Sequence, residues 1–246
     1  MISAGIDIGS RTIKLVLVEN GQIIEFRKAE NSFDTLKVCS SLLEGLSYDS
    51  ITSTGYGRYL FDEYLKCNVI SEIKAFALGA KFVHPECRSV LDIGGQDTKA
   101  ISLDANGKMK KFEMNDKCAD GTGRFLEIMA MTLRYTLDEF GMRALAAKDS
   151  LSINSMCTVF AESEVISMVA RGADRAGIAK GIHQSIVSRS IALLKRIGME
   201  GTVVFAGGVA YNKCIVQLLE EQLQAEIFVP EQPQLIGALG AALAGN

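Results

Sequence analysis

Several features that would remove a chain from the ordinary globular class are scarce here. Only three prolines occur in 246 residues and no stretch is low in complexity, which excludes disorder as a description of the chain. The two histidines, His84 and His183, stand apart, so no paired-histidine zinc site is present. No Cys-x-x-Cys occurs among the six cysteines. No apolar run approaches the ~20 residues that a bilayer-crossing helix needs. The N-terminus enters an apolar strand within a few residues, without a basic leader, so no signal peptide is expected. The net charge is −3 and the densest basic cluster is Lys108-Met109-Lys110-Lys111, which reads as a solvated strand end. These absences predict a cytoplasmic protein that contacts neither nucleic acid nor membrane. In a reducing compartment its cysteines are core residues, reactive thiols or metal ligands rather than disulfides.

What is present is a periodic α/β pattern. Residues 2–8 read as a buried strand, 13–18 as a second and 22–27 as a third, with Asn20-Gly21 as the hairpin turn. A helix capped by Asp34 runs to about 46, a short strand covers 51–54, and a helix covers 72–82. The opening then recurs. Residues 90–93 form a strand, 99–103 run back, Asn106-Gly107 makes a hairpin and 108–114 return. Laid without gaps, Asp7, Ile8, Gly9 and Lys14 fall on Asp92, Ile93, Gly94 and Lys99. The remainder is mainly helical: 124–140 as one helix ended by Gly141, then 158–171, 174–197, 212–223 and 234–244, with strands at 203–205 and 227–229.

Each repeat carries an Asp-x-Gly turn directly after a strand. Glycine there admits close backbone approach, and consecutive amides form an anion nest. Ser10 and Thr12 add hydroxyls, and an aspartate at a strand end can hold hydrated Mg²⁺. Alone, either turn also reads as an ordinary hairpin turn. A third glycine-rich turn, Ala206-Gly207-Gly208-Val209-Ala210, joins a buried strand to a helix and reads either as a surface for adenosine or as a tight turn.

Together these three segments resemble the actin, hexokinase and Hsp70 ATPase superfamily, over nearly the whole chain. The resemblance implies a duplicated, ribonuclease H-like α/β fold with mixed central sheets and a nucleotide cleft between two lobes, at 1–88 and 89–246, the C-terminal helix packing back on the first. It implies ATP/ADP and Mg²⁺ as ligands. Asp7, Gly9, Ser10 and Thr12 would form the first phosphate loop, Asp92, Gly94, Gly95 and Thr98 the second, and Gly207 and Gly208 the adenosine side. Gln96 lies where a side chain could orient attacking water, or is a solvated turn residue. Glu162 could bond a ribose hydroxyl, or is a solvated helix charge. The P-loop lysine signature is absent, so the phosphates are not held in that way.

Cys118 precedes a predicted helix in Asn-Asp-Lys-Cys-Ala-Asp-Gly-Thr-Gly-Arg-Phe, and Cys157 begins another in Cys-Thr-Val-Phe-Ala-Glu-Ser-Glu. A helix N-terminus favours thiolate. By themselves, two such cysteines also read as core or incidental. Both segments, however, closely resemble one branch of the superfamily: the activators of 2-hydroxyacyl-CoA dehydratases and the ATPase subunits of benzoyl-CoA-type reductases. That resemblance implies one [4Fe–4S] cluster bridging a homodimer, with Cys118 and Cys157 of each chain as ligands. It implies ferredoxin or flavodoxin as electron donor and an iron–sulfur dehydratase or reductase as acceptor. Asp120 stands where a small residue is expected, and would either lower the cluster's potential or cap the helix. Cys39 and Cys67 are read in helices, Cys87 as partly exposed and Cys214 as core. Two other classes fit the same fold: a small-molecule kinase, for an amino sugar, or a non-catalytic nucleotide-regulated scaffold.

Overall fold

In the computed structural model, which describes residues 1–155 and 157–245, the sequence repeat becomes two five-stranded sheets of the same topology. The first contains β1 (Ile2–Ile8), β2 (Thr12–Glu19), β3 (Gln22–Glu30), β4 (Ser50–Gly55) and β5 (Asn68–Val69), in the order β3-β2-β1-β4-β5. The second contains β6 (Ser89–Ile93), β7 (Thr98–Leu103), β8 (Met109–Asn115), β9 (Val203–Ala206) and β10 (Ile227–Phe228), in the order β8-β7-β6-β9-β10. Each begins as an antiparallel meander and adds parallel strands beside its first. The register shift between Leu17 and Val18 recurs between Ser102 and Leu103, at the aligned positions. Asn20 and Gly21 both have positive φ, 50° and 74°, as the right-twisted hairpin requires. Met156 and Asn246 lie outside the described residues.

The helices cover both sheets. On the first sheet, Ile6, Ile8, Leu15 and Leu17 pack with Cys39 and Leu42 of α1 (Thr35–Leu43) and Phe61 of α2 (Arg58–Leu65). Its other face, through Val16 and Val18, meets Ala238, Leu239 and Ala242 of α9 (Ile236–Ala244). On the second sheet, α3 (Glu72–Val83) packs Phe76, Ala77 and Ala80 against Val90, Ile101 and Leu103. The largest cluster lies on that sheet's far side, with α4 (Gly123–Thr132), α5 (Leu137–Ala146), α6 (Thr158–Ala170), α7 (Arg175–Ile197) and α8 (Lys213–Leu223). Its Phe125, Phe140 and Phe205 are almost fully buried, each contributing about 1.5–3 kcal/mol. The helices α3 and α9 pack between the sheets at very short range: a Cβ on Gly240 would lie 1.7 Å from the Ala75 carbonyl oxygen. Any side chain there would force the lobes apart.

The single helix expected over 124–140 is two. Helix α4 closes with Arg134 in the left-handed region (φ 56°), Arg134 N donating to the Met131 carbonyl and Tyr135 N to the Ala130 carbonyl. A new helix then starts at Thr136, whose hydroxyl and Glu139 form a reciprocal capping box. Gly141, read as a terminator, lies inside α5. The helix α2 and the strand β5 lack a sequence expectation, and Cys67 lies between them rather than in a helix. Cys87 is fully buried rather than partly exposed, because it joins the cluster that α3 forms with Val90, Ile101 and Val204 of the second sheet.

Candidate functional site

The two Asp-x-Gly turns and the Gly207-Gly208 turn meet in one cleft of about 810 Å³. In each turn the glycine amide donates to a carbonyl three residues on: Gly9 to Thr12 at 3.2 Å, and Gly94 to Asp97 at 2.9 Å. Gly9, Ser10 and Thr12 line the cleft from one sheet, Gly94 and Gly95 from the other. Gly207 has φ 87°, and a Cβ there would lie 2.5 Å from Asp92 Oδ1 and 2.4 Å from the Ile93 carbonyl oxygen. Its counterpart beside β1 is Gly55, with φ 90°, where a Cβ would lie 2.7 Å from Asp7 Oδ1. A bare backbone therefore presses on each aspartate.

Both aspartates are buried and paired across their own hairpin. Asp7 opposes Lys14 in the β1–β2 register, with Nζ to Oδ2 at 3.2 Å; Asp92 opposes Lys99 in β6–β7, at 3.3 Å. Lys99 also meets Asp97 at 2.6 Å and Glu72 of α3 at 2.8 Å. Burial works against the Lys99 charge, but these three carboxylates outweigh it and hold the ammonium above its usual range. Burial pushes the Asp92 carboxyl up to about 7; Asp97 and Glu72 add to this and Lys99 opposes it. The gapless repeat aligns Lys14 with Lys99, the signal from which this paired arrangement can be read. Glu72 is brought in only by the packing of α3.

The opposite wall is apolar. Leu137, Met142 and Leu145 of α5 line it, with Val209 and Tyr211 from the 3₁₀ turn Gly208–Tyr211. Gly141 lets α5 approach: a Cβ there would lie 3.1 Å from Asn212 Oδ1. Asn212 caps α8, Oδ1 accepting from Cys214 N and Ile215 N, while its amide donates to His183 Nε2 at 2.9 Å. His183 Nδ1 donates to the Ala179 carbonyl at 2.8 Å, which fixes the tautomer. These apolar side chains offer a purine base a partner for its faces.

Burial pushes the His183 imidazole down to about 4 from its ordinary 6.5. Between those values the unfolded chain binds a proton that the folded chain refuses, so this residue's contribution to stability is full above 6.5 and is lost as the pH falls toward 4. The shift corresponds to about 3 kcal/mol. His183→Gln removes the titration, so the cost of the substitution should shrink by about that amount between pH 7 and pH 4. Urea titrations across the range check it, and a cost independent of pH would refute the assignment.

Three expected site residues stand elsewhere. Thr98 is buried and donates its hydroxyl to the Gly121 carbonyl at 2.8 Å, so it ties the Cys118 loop to β7 instead of lining the cleft. Gln96 is exposed outside the cleft lining, because the turn closes between Gly94 and Asp97 and leaves it at the apex. Glu162 also lies outside the lining: Ala161 and Val165 take the core side of α6, and Glu162 accepts from Thr132 of α4 at 3.3 Å.

Cys118 and Cys157 are the two exposed cysteines among the described residues. Burial pushes the thiols of Cys39, Cys87 and Cys214 up to about 11. Cys157 is the N-cap of α6. Cys118 sits in a loop held by the Asn115 amide, which donates to the Cys118 and Asp120 carbonyls at 3.1 and 3.0 Å. Asp120 does not cap α4; it is buried and ion-paired with Arg189 of α7. Burial pushes its carboxyl up to about 6, with Arg189 opposing.

A sequence profile of the BadF/BadG/BcrA/BcrD ATPase family matches residues 4–245. The chain belongs to that family. It is 44% identical over 252 residues to the 2-hydroxyisocaproyl-CoA dehydratase activator of Clostridioides difficile, covering 99% of this chain and 94% of that protein. It is 40% identical over 250 residues to the (R)-2-hydroxyglutaryl-CoA dehydratase activating ATPase of Acidaminococcus fermentans, covering 97% and 95%. Among solved structures, the activator of the 2-hydroxyisocaproyl-CoA dehydratase from Clostridium difficile with bound ADPNP superposes with TM-score 0.90 at 42% identity, over 100% of this chain and 94% of that one. A ROK-family glucokinase from Streptomyces griseus, at 13% identity and TM-score 0.64 over 100% and 99%, shares the fold alone. The architecture is thus the duplicated actin and hexokinase ATPase fold, and the cleft belongs to an ATPase.

Proposed function

We propose that this protein is an ATP-driven one-electron donor, receiving electrons from a reduced ferredoxin or flavodoxin and delivering them to an iron–sulfur dehydratase or reductase. The observation that carries the reading is the pair of exposed thiols, Cys118 and Cys157, on the segments that open α4 and α6, in an ATPase whose relatives are named as dehydratase activators. Two thiolates per chain suit a [4Fe–4S] cluster shared by a homodimer, since such a cluster takes four. When bound, the cluster supplies the one-electron carrier. Exposed Val159 and Phe160, in the first turn of α6 beside Cys157, give that end of the helix an apolar character suited to a second copy.

The chain's own residues do the rest. The turns at Gly9-Ser10 and Gly94-Gly95 offer amides and a hydroxyl to phosphate, and Asp7 and Asp92 offer carboxylates through which a hydrated Mg²⁺ would be held. Gly123 N and Arg124 N of α4 donate to the carbonyls of Gly94 and Gly95, each at 2.9 Å, and Thr98 bonds Gly121. The second phosphate turn is thus wired directly to the Cys118 loop, so a shift of that turn on nucleotide binding moves the loop. ATP drives this only by preferring one arrangement over the other.

Purification without oxygen should yield a brown dimer with one cluster's iron and sulfide per two chains, reduced by a flavodoxin or ferredoxin, and passing its electron on only with ATP. Iron-free monomers with intact Cys118 and Cys157, or ATP-dependent phosphorylation of a sugar, would overturn the reading.

A further inference from the structure

We propose that Arg11 reads the nucleotide state of the cleft by exchanging Glu127 for the terminal phosphate of a bound nucleoside triphosphate. The inference rests on the nucleotide cleft proposed above. Arg11 stands between Ser10 and Thr12 in the first turn and lines the cleft. Its stem crosses to the second turn: Cγ lies 2.6 Å from where a Cβ on Gly95 would be. The residue therefore occupies the place where the two phosphate turns converge.

The cations lining the cleft differ in how they are held. Lys14 and Lys99 are bound to buried carboxylates, and their side chains are only 13% and 3% exposed. Taking either lysine for a ligand would strand a buried anion, a large cost. Lys213 lies at the first residue of α8, beside Tyr211 and Asn212 on the apolar side. Arg11 is 54% exposed and meets Glu127 Oε1 directly at 3.3 Å, a solvent-exposed pair of the weak kind. A phosphate offers its guanidinium a bidentate, charge-assisted partner in exchange.

Glu127 is not stranded by the exchange, because Arg124 Nη1 already lies 2.9 Å from its other oxygen. Both residues belong to α4, the helix that follows the Cys118 loop and whose first amides bond Gly94 and Gly95. With a diphosphate bound, Arg11 keeps Glu127 and ties the first turn to α4. With a triphosphate bound, it lets go, and α4 is released from the first lobe.

The test measures affinities for ADP and for a non-hydrolysable ATP analogue, both with Mg²⁺, by calorimetry on the full protein. Arg11→Ala should weaken the triphosphate analogue about tenfold and ADP less than about twofold. Glu127→Gln should tighten the triphosphate analogue about twofold, and this gain should vanish in the Arg11→Ala background. Arg11→Lys should restore part of the discrimination, since a single ammonium cannot match the guanidinium fork. Equal losses for both nucleotides, or a Glu127→Gln effect that survives without Arg11, would overturn the exchange. A wild-type protein that binds neither nucleotide would overturn the cleft assignment as well.

Discussion

Replacing Lys99 by methionine is expected to cost about 3–5 kcal/mol of stability at pH 8 and to abolish ATP hydrolysis. The substitution keeps the volume of the side chain and removes its charge. Lys99 Nζ stands within 3.3 Å of Asp92, 2.6 Å of Asp97 and 2.8 Å of Glu72, and the side chain is 3% exposed. Without it, Asp92 and Asp97 are left buried with no cation beside them, while Glu72 keeps only Arg58 at 4.0 Å, and the cheapest response is to take up protons. Asp92 already holds its proton up to about 7 through burial. In the variant Asp92 loses the lysine that opposes this rise and binds its proton more tightly than the unfolded chain does, so stability is retained at low pH and lost as the pH rises through its folded value. The cost should therefore be much smaller at pH 5 than at pH 8. A loss that is small, or the same at both pH values, would mean that the cluster of charges around Lys99 is not what the geometry says.

That network also marks how far the sequence can be read. The aspartates, the glycines and the alignment of Lys14 with Lys99 are local signals in a repeated hairpin, and the two meanders β1–β3 and β6–β8 follow them strand by strand. Glu72 is not local to Lys99, and Asn212, although a local cap of α8, is not local to His183 or to α5. They reach the cleft because α3 and α8 pack there, a matter of tertiary contact that no short window records. The break between α4 and α5 is different, since Thr136 and Glu139 spell a capping box in the sequence. Gly141 outweighs it in a reading by terminators, yet its lack of a side chain serves the approach to Asn212 rather than a helix end. Gln96 and Asp97 show the same limit on a smaller scale. Both are polar turn residues, and only the bond from Gly94 N to the Asp97 carbonyl decides which one turns inward to Lys99. Burial of Cys87 likewise draws on Val204 of β9, more than a hundred residues downstream, in the same cluster.

The other large effect concerns the exposed thiols. Cys118→Ala should leave the protein folded and free of iron and sulfide, with the affinity for ADP unchanged within about twofold. Cys118 is exposed and outside the cleft lining, so its removal opens no cavity and touches no nucleotide contact. Because each chain of the proposed dimer supplies the same residue, one substitution removes two of the four ligands, and a pair of thiolates does not retain such a cluster. Cys157→Ala should behave identically, although Cys157 caps α6 and Cys118 sits in the loop before α4. Cys214→Ala serves as the contrast: its sulfur is buried among core residues, so it should lower stability and leave the iron content unchanged. Dimer dissociation in both exposed-thiol variants would further mean that the metal holds the protomers together. Iron retained in either of them at the wild-type level would remove the cluster assignment, while leaving the ATPase cleft untouched.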